Sequence, residues 1–303
     1  VVIIKKVINM KKIFLYLSII LLSGIVLFSS CGNDTLNDSI PLNPVLTPFK
    51  AVTAEDGPQI VNASISDKDR TIVFELNNLK NLKEVKVNLN ISKRAKLLSP
   101  TDTTLTLDLT EPYEITINNI YDDITYTVSA SIPEFILVDK APFKEFKMNN
   151  DGGVEDGNIR YLWNGEIMSK PNDYDAIGYR NYLTKGSFTF DIGTRYDGSY
   201  YDLKRFRASL YWPLSNVCPK VYELWGYMGG GEPPLTGDWS DWTKLATIDN
   251  SSSTLADFGE GDNIYFEKED SPKARYLRVK LIENYRGDTF ISLCEVTFWA
   301  WNK

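Results

Sequence analysis

The chemistry of this chain has to be built without histidine, for none of its 303 residues is one. That removes Ser-His-Asp and Cys-His nucleophile systems, histidine general bases and histidine metal ligands together. Three cysteines are present, and Cys31 has a context that calls for covalent modification. Met10-Lys11-Lys12 leads into an apolar run from Ile13 to Phe28, interrupted by small residues such as Ser18 and Gly24, and then Ser29-Ser30-Cys31. A basic n-region, a short h-region and small residues before the cut describe an export signal, residues 1–30, with the true start at Met10. The run is marginally short for a spanning helix, which leaves an uncut anchor as the alternative. A cysteine directly after such a cut is the acceptor for lipid. At about 0.8 kcal/mol per buried methylene, several acyl chains on Cys31 hold a protein durably on a membrane. Cys218 and Cys294 then remain, too few for a thiolate zinc site. They are open to two readings: a disulfide in an oxidising compartment, or two small buried apolar side chains.

The other candidate chemistry is recognition. All seven tryptophans lie beyond Pro142, at 163, 212, 225, 239, 242, 299 and 301. An aromatic ring can lie on the apolar C–H face of a sugar while Arg, Asn or Asp pairs with its hydroxyls. Four groups offer this. Tyr211 and Trp212 lead into Pro213-Leu214-Ser215-Asn216, and Tyr285 and Arg286 sit in Asn284-Tyr285-Arg286-Gly287-Asp288. Trp239 follows a Gly- and Pro-rich loop, and Tyr200 and Tyr201 form the fourth group. Trp225, Trp242 and Trp299, in or beside apolar strands, read as core. Once residues 1–30 are removed, four lysines go and 29 basic residues face 40 acidic ones, a net charge of −11. That balance argues against nucleic acid, which needs basic patches, and suits an uncharged ligand. Gly229-Gly230-Gly231 lacks the Lys-Ser/Thr and helix of a phosphate loop. The run from Asp151 to Asn158 misses EF-hand spacing and reads as a solvated acidic loop.

The elements that must position these residues are strands. Val85, Val87, Leu89 and Ile91 alternate with polar residues, as do Leu105, Leu107 and Leu109. Period-two alternation buries one face and wets the other. Turn-rich pieces such as Ser66-Asp67-Lys68-Asp69 divide the runs, and no long amphipathic helix is visible. The expectation for the first half is a small antiparallel β-sandwich. Strands continue beyond Pro142 with long loops rich in Gly, Asp and Asn, where function usually sits on a sandwich.

Several fragments resemble known families. Gly32-Asn33-Asp34-Thr35-Leu36-Asn37-Asp38 resembles the acidic tether after the lipidated cysteine of surface lipoproteins in polysaccharide-utilising Gram-negative bacteria. Pro41, Pro44 and Pro48 stiffen the rest of this linker, residues 31–48. Tyr126-Thr127-Val128-Ser129-Ala130 resembles the last strand of bacterial immunoglobulin-like modules, which implies a spacer domain over 49–139. Lys220-Val221-Tyr222-Glu223-Leu224-Trp225-Gly226, Asp238-Trp239-Ser240-Asp241-Trp242-Thr243-Lys244-Leu245, Arg275-Tyr276-Leu277-Arg278-Val279-Lys280 and Ser292-Leu293-Cys294-Glu295-Val296-Thr297-Phe298-Trp299 resemble, in order, four strands of discoidin or coagulation-factor type C domains. The resemblance covers about 160 residues and departs at Ala300, where the family has glycine. It implies a galactose-binding-like β jelly roll over 140–303. It also implies a structural calcium, whose matching places here are Asn164, Glu166 and Glu295; Asn164 stands where the family usually has aspartate.

Together these give an all-β chain, an immunoglobulin-like sandwich followed by a jelly roll. The expected function is a non-catalytic carbohydrate-binding lipoprotein, anchored in the outer membrane at the cell surface. Its expected partners are a glycan, beside an outer-membrane importer complex, and not nucleic acid. A surface adhesin for protein, and a glycoside hydrolase using two carboxylates, are the alternatives.

Overall fold

The computed structural model describes residues 46–167, 181–183, 186–211, 213–254 and 260–302. The expected lipidation site Cys31 lies outside them. Among the described residues no helix is long and apolar enough to cross a membrane.

The alternating runs become strands: β1 (Phe49–Asp56), β2 (Gln59–Asn62), β3 (Ser64–Ser66), β4 (Thr71–Glu75), β5 (Val85–Ile91), β6 (Lys96–Ser99), β7 (Thr104–Leu107), β8 (Tyr113–Asn118) and β9 (Asp123–Ser131). One sheet has the order β2-β1-β5-β7 and the other β3-β4-β9-β8-β6. Val85, Val87 and Leu89 are buried while Lys86 and Asn90 face water, as the period requires. The two sheets meet through rings: Phe49 of β1 stands edge-on to Tyr126 of β9 at 5.1 Å. The Tyr126 hydroxyl donates to Asp67 at 2.7 Å. One expectation is corrected. β4 and β9 run parallel, with Ile72 opposite Val128. The intervening chain visits the other sheet before returning, which supplies the crossover that parallel neighbours need.

The second sandwich begins earlier than the composition shift. β10 (Phe135–Leu137) pairs with the last strand, β21 (Leu293–Trp301), with Phe135 opposite Trp301. Between them run β11 (Lys144–Glu145), β12 (Val154–Gly157), β13 (Asn181–Leu183), β14 (Ser187–Asp191), β15 (Tyr201–Leu210), β16 (Pro219–Gly226), β17 (Thr243–Asp249), β18 (Asp262–Tyr265), β19 (Lys273–Ala274) and β20 (Tyr276–Asn284). One five-stranded sheet has the order β10-β21-β15-β18, with β19 added on β15. The other is β11-β14-β20-β16-β17, and β12 and β13 form a separate ribbon. Phe206 and Phe298 from the first sheet meet Phe188 and Phe190 from the second, with Phe190 and Phe298 5.9 Å apart. Each fully buried side chain of this size contributes about 1.5–3 kcal/mol. Cys218 and Cys294 are buried here, so the small-apolar reading holds and no disulfide joins them.

Candidate functional site

Strand pairing decides which loops share an end of this sandwich. Leu210, closing β15, lies opposite Leu293, opening β21; Pro219, opening β16, lies opposite Asn284, closing β20. Loops 211–218 and 285–292 therefore leave the same end. The turn after β17 joins them, because Asp249 lies opposite Val221. Backbone bonds from Tyr285 N to Cys218 O (3.3 Å) and from Ser292 N to Val217 O (3.2 Å) tie the two loops.

The polar groups of this end are held before any ligand arrives. The Asn284 side chain accepts from the Gly287 and Asp288 amides (2.7 and 3.1 Å) and donates to Asp288 Oδ1 (2.6 Å). Arg286 pairs with Asp288 Oδ2 and reaches Asn216 Oδ1 at 3.4 Å. Its guanidinium lies 5.3 Å from the Phe290 ring centroid. Burial works against the charge on Asp288, yet bonds from the Phe290 amide, Asn284 and Arg286 outweigh it and hold the carboxyl below its usual range. The Tyr285 hydroxyl donates to Asn250 O at 2.6 Å, which fixes its half-buried ring, and burial raises its pKa. The arrangement offers fixed donors and acceptors beside a ring edge on an exposed rim.

Among the described residues the other expected platforms add no exposed ring to this end. Tyr211 is 1% exposed and belongs to the core. Tyr211 follows the last residue of β15, and the core cluster takes it in together with Leu210. Trp212 lies outside the described residues. Tyr201 is buried with Leu203, and its hydroxyl donates to Thr194 O at 3.2 Å. Tyr200 is half-exposed but sits at the opposite end, its hydroxyl 3.3 Å from Gly231 O.

Trp239 lies on the outer face of the β11-β14-β20-β16-β17 sheet, 3.9 Å above the Arg278 guanidinium and 5.2 Å from Trp225. Trp225 is half-exposed and not core, with its indole N–H on Glu223 (2.9 Å). Trp242 is buried as expected. Trp299 also departs from the core reading: it is half-exposed on the outer face of the other sheet, under Arg205 at 4.3 Å. The acidic run is corrected as well. Asp151 is buried and binds Arg278 at 2.9 Å, with Ser187, Thr189 and the Met148 amide completing its shell.

The residues matched to the family's calcium ligands do gather at one place. Glu295, 0% exposed, accepts from the Gly165 amide at 3.2 Å. Burial pushes its carboxyl up to about 7, against the pull of Lys140. Lys140, which the sequence did not single out, forms an ion pair with Glu295 Oε1 and donates to Thr297 Oγ1 at 2.9 Å. Asn164 and Glu166 are exposed and bonded to each other at 3.2 Å. Among the described residues no group of three or more Cys, Asp or Glu could hold a metal ion.

Residues 163–300 match the family model DUF5000, described as a domain of unknown function. No curated protein matches the chain. Among solved structures, a SusE-like protein is similar at 30% identity and a TM-score of 0.46, over 55% of this chain and 100% of its own. The family 32 CBM of NanJ from C. perfringens, solved with galactose, is similar at 11% identity and 0.36, over 55% of this chain and 98% of its own. The CBM32 of AlyQ, solved with 4,5-unsaturated mannuronic acid, is similar at 16% identity and 0.34, over 54% and 97%. The class is an all-β chain with a jelly roll behind a smaller sandwich. On its identity across the whole of that relative, the chain belongs to the family of the SusE-like protein.

Proposed function

We propose that this chain is a non-catalytic carbohydrate-binding lipoprotein, held at the outer membrane by lipid on Cys31 and exposed to the cell surface. It captures glycan for a polysaccharide uptake system beside an importer complex. The observation that carries this reading is the convergence of Tyr285, Arg286, Asn216 and Asp288 on one rim of the jelly roll, joined by the Arg286–Asn216 contact at 3.4 Å. The Tyr285 ring supplies an apolar edge for C–H groups, and Arg286, Asn216 and Asp288 supply paired donors and acceptors for vicinal hydroxyls. Kinship with a SusE-like protein supports the reading, as do the export signal and the lack of histidine. The first sandwich, resembling an immunoglobulin-like module, acts as the spacer that lifts this rim from the membrane.

A glycan array probed with chain starting after Cys31 tests the proposal. It predicts hits among neutral polysaccharides, weakened by Tyr285→Ala and Arg286→Ala. New reducing ends during incubation would instead reveal a hydrolase. An empty array with binding to a protein surface would reveal an adhesin.

A further inference from the structure

We propose that the Lys140 ammonium is the resident cation of the Glu295 centre, in the role the type C resemblance gives to calcium, so that this chain takes no calcium there. The proposal does not rest on the glycan reading.

Topology places the lysine. β10 lies beside β21 with Leu137 opposite Trp299, so Lys140, three residues past Leu137, arrives next to Thr297 and Glu295 on the same outer face. A buried carboxylate needs a partner for its charge, and Lys140 is the one in direct contact. Calcium would need six to eight oxygens converging on one point. The loop does the reverse. The Gly165 amide points its N–H at Glu295 Oε1, the oxygen that Lys140 also holds. Glu166 O accepts from the Cys294 thiol at 3.5 Å, and the Asn164 side chain accepts from the Glu166 amide at 2.9 Å. The side chains of Asn164 and Glu166 thus serve each other at the surface, and the centre holds a single carboxylate, whose Oε1 meets two donors and whose Oε2 is buried with no hydrogen-bond partner. That pattern suits an ammonium, which brings its own protons, and not a metal ion, which brings none. Lys140 also couples the chain entering the jelly roll to its last strand, which anchors the 163–167 loop from below.

The test is thermal unfolding of the mature chain in millimolar CaCl2 and in EDTA, with equilibrium dialysis against labelled calcium. The expected result is the same Tm in both, within about 1 °C, and no stoichiometric uptake. Lys140→Met is expected to lower Tm by about 10 °C, because it strands the buried carboxylate. Lys140→Met with Glu295→Gln is expected to recover more than half of that loss. One calcium bound per chain with a Tm rise of several degrees overturns the proposal. So does a Lys140→Met chain as stable as the parent. Should neither variant fold, the calcium measurements on the parent chain decide alone.

Discussion

Replacing Arg278 with methionine removes the cation at the centre of the second sheet's outer face. The side chain is 0% exposed. Its Nη2 donates to Asp151 Oδ1 (2.9 Å) and Asn150 Oδ1 (2.7 Å), its Nη1 to Gly237 O (2.9 Å), and its Nε to Asp151 (3.3 Å). Gly237 has a positive φ of 69°, a conformation that favours glycine, and a Cβ there would crowd the Asn150 and Met148 side chains. Methionine fills similar volume but leaves Asp151 buried and unpaired, a change that costs about 3–5 kcal/mol. Ser187, Thr189 and the Met148 amide still solvate the carboxylate at 3.0, 2.6 and 3.0 Å, which favours the lower end. At about 2–4 °C per kcal/mol for a domain of this size, Tm should fall by roughly 6–15 °C. Melting followed by circular dichroism reads this directly, and Trp239, stacked at 3.9 Å, should shift its emission in the native state. Adding Asp151→Asn to the variant should restore part of the loss, since the stranded charge is gone. A fall below about 2 °C, or no recovery in the double variant, would refute the claim that this pair organises the face.

Asp262 gives a pH dependence. Burial raises its pKa from 3.8, although Tyr222 and Asn250 donate to it at 2.7 and 3.0 Å. The folded state therefore holds this proton more tightly than the unfolded one. The stability it brings is full below pH 3.8 and lost as pH rises through the raised value. Asp262→Asn should accordingly raise Tm at pH 7 and change nothing below that lower limit. The thiols give a reactivity test. Burial pushes Cys218 up to about 12, so labelling by iodoacetamide at neutral pH should wait for unfolding, and dithiothreitol should leave Tm unchanged. Modification of Cys218 in the native protein would contradict its burial. In the first sandwich, Tyr126→Phe removes the bond to Asp67 and should cost about 1 kcal/mol in denaturant unfolding, with no effect on ligand binding.

The strands were legible because alternation is a local signal, and Val85, Val87 and Leu89 show it plainly. The four type C fragments became β16, β17 with the turn before it, β20 and β21; the first three are neighbours in one sheet and β21 lies in the facing sheet. The pairing of loops 211–218 and 285–292 was legible only as two separate candidate groups. What escaped has long-range causes. Asp151 reads as one more acid in a Gly-rich run, and its partner Arg278 lies 127 residues on. Lys140 looks like an ordinary loop charge until β10 is laid beside β21. Tyr211 lies just past the end of β15, where period-two alternation no longer tells which way a side chain faces, and it is buried. Tyr200 and Tyr201 are adjacent in β-type chain, so alternation alone allowed only one of them to face water.

The central claim is that the Tyr285–Arg286 rim grips an uncharged glycan. Titration calorimetry with the best array hit measures it most directly, comparing the parent chain with Arg286→Ala and Trp239→Ala. Loss of a hydrogen bond from a charged donor is worth about 1.5–3 kcal/mol, so Arg286→Ala should weaken binding by roughly 10- to 150-fold. Trp239→Ala, on a different face, should bind as the parent does. Equal affinity for the parent and Arg286→Ala, with binding lost in Trp239→Ala, would move the site to the sheet face and contradict this account.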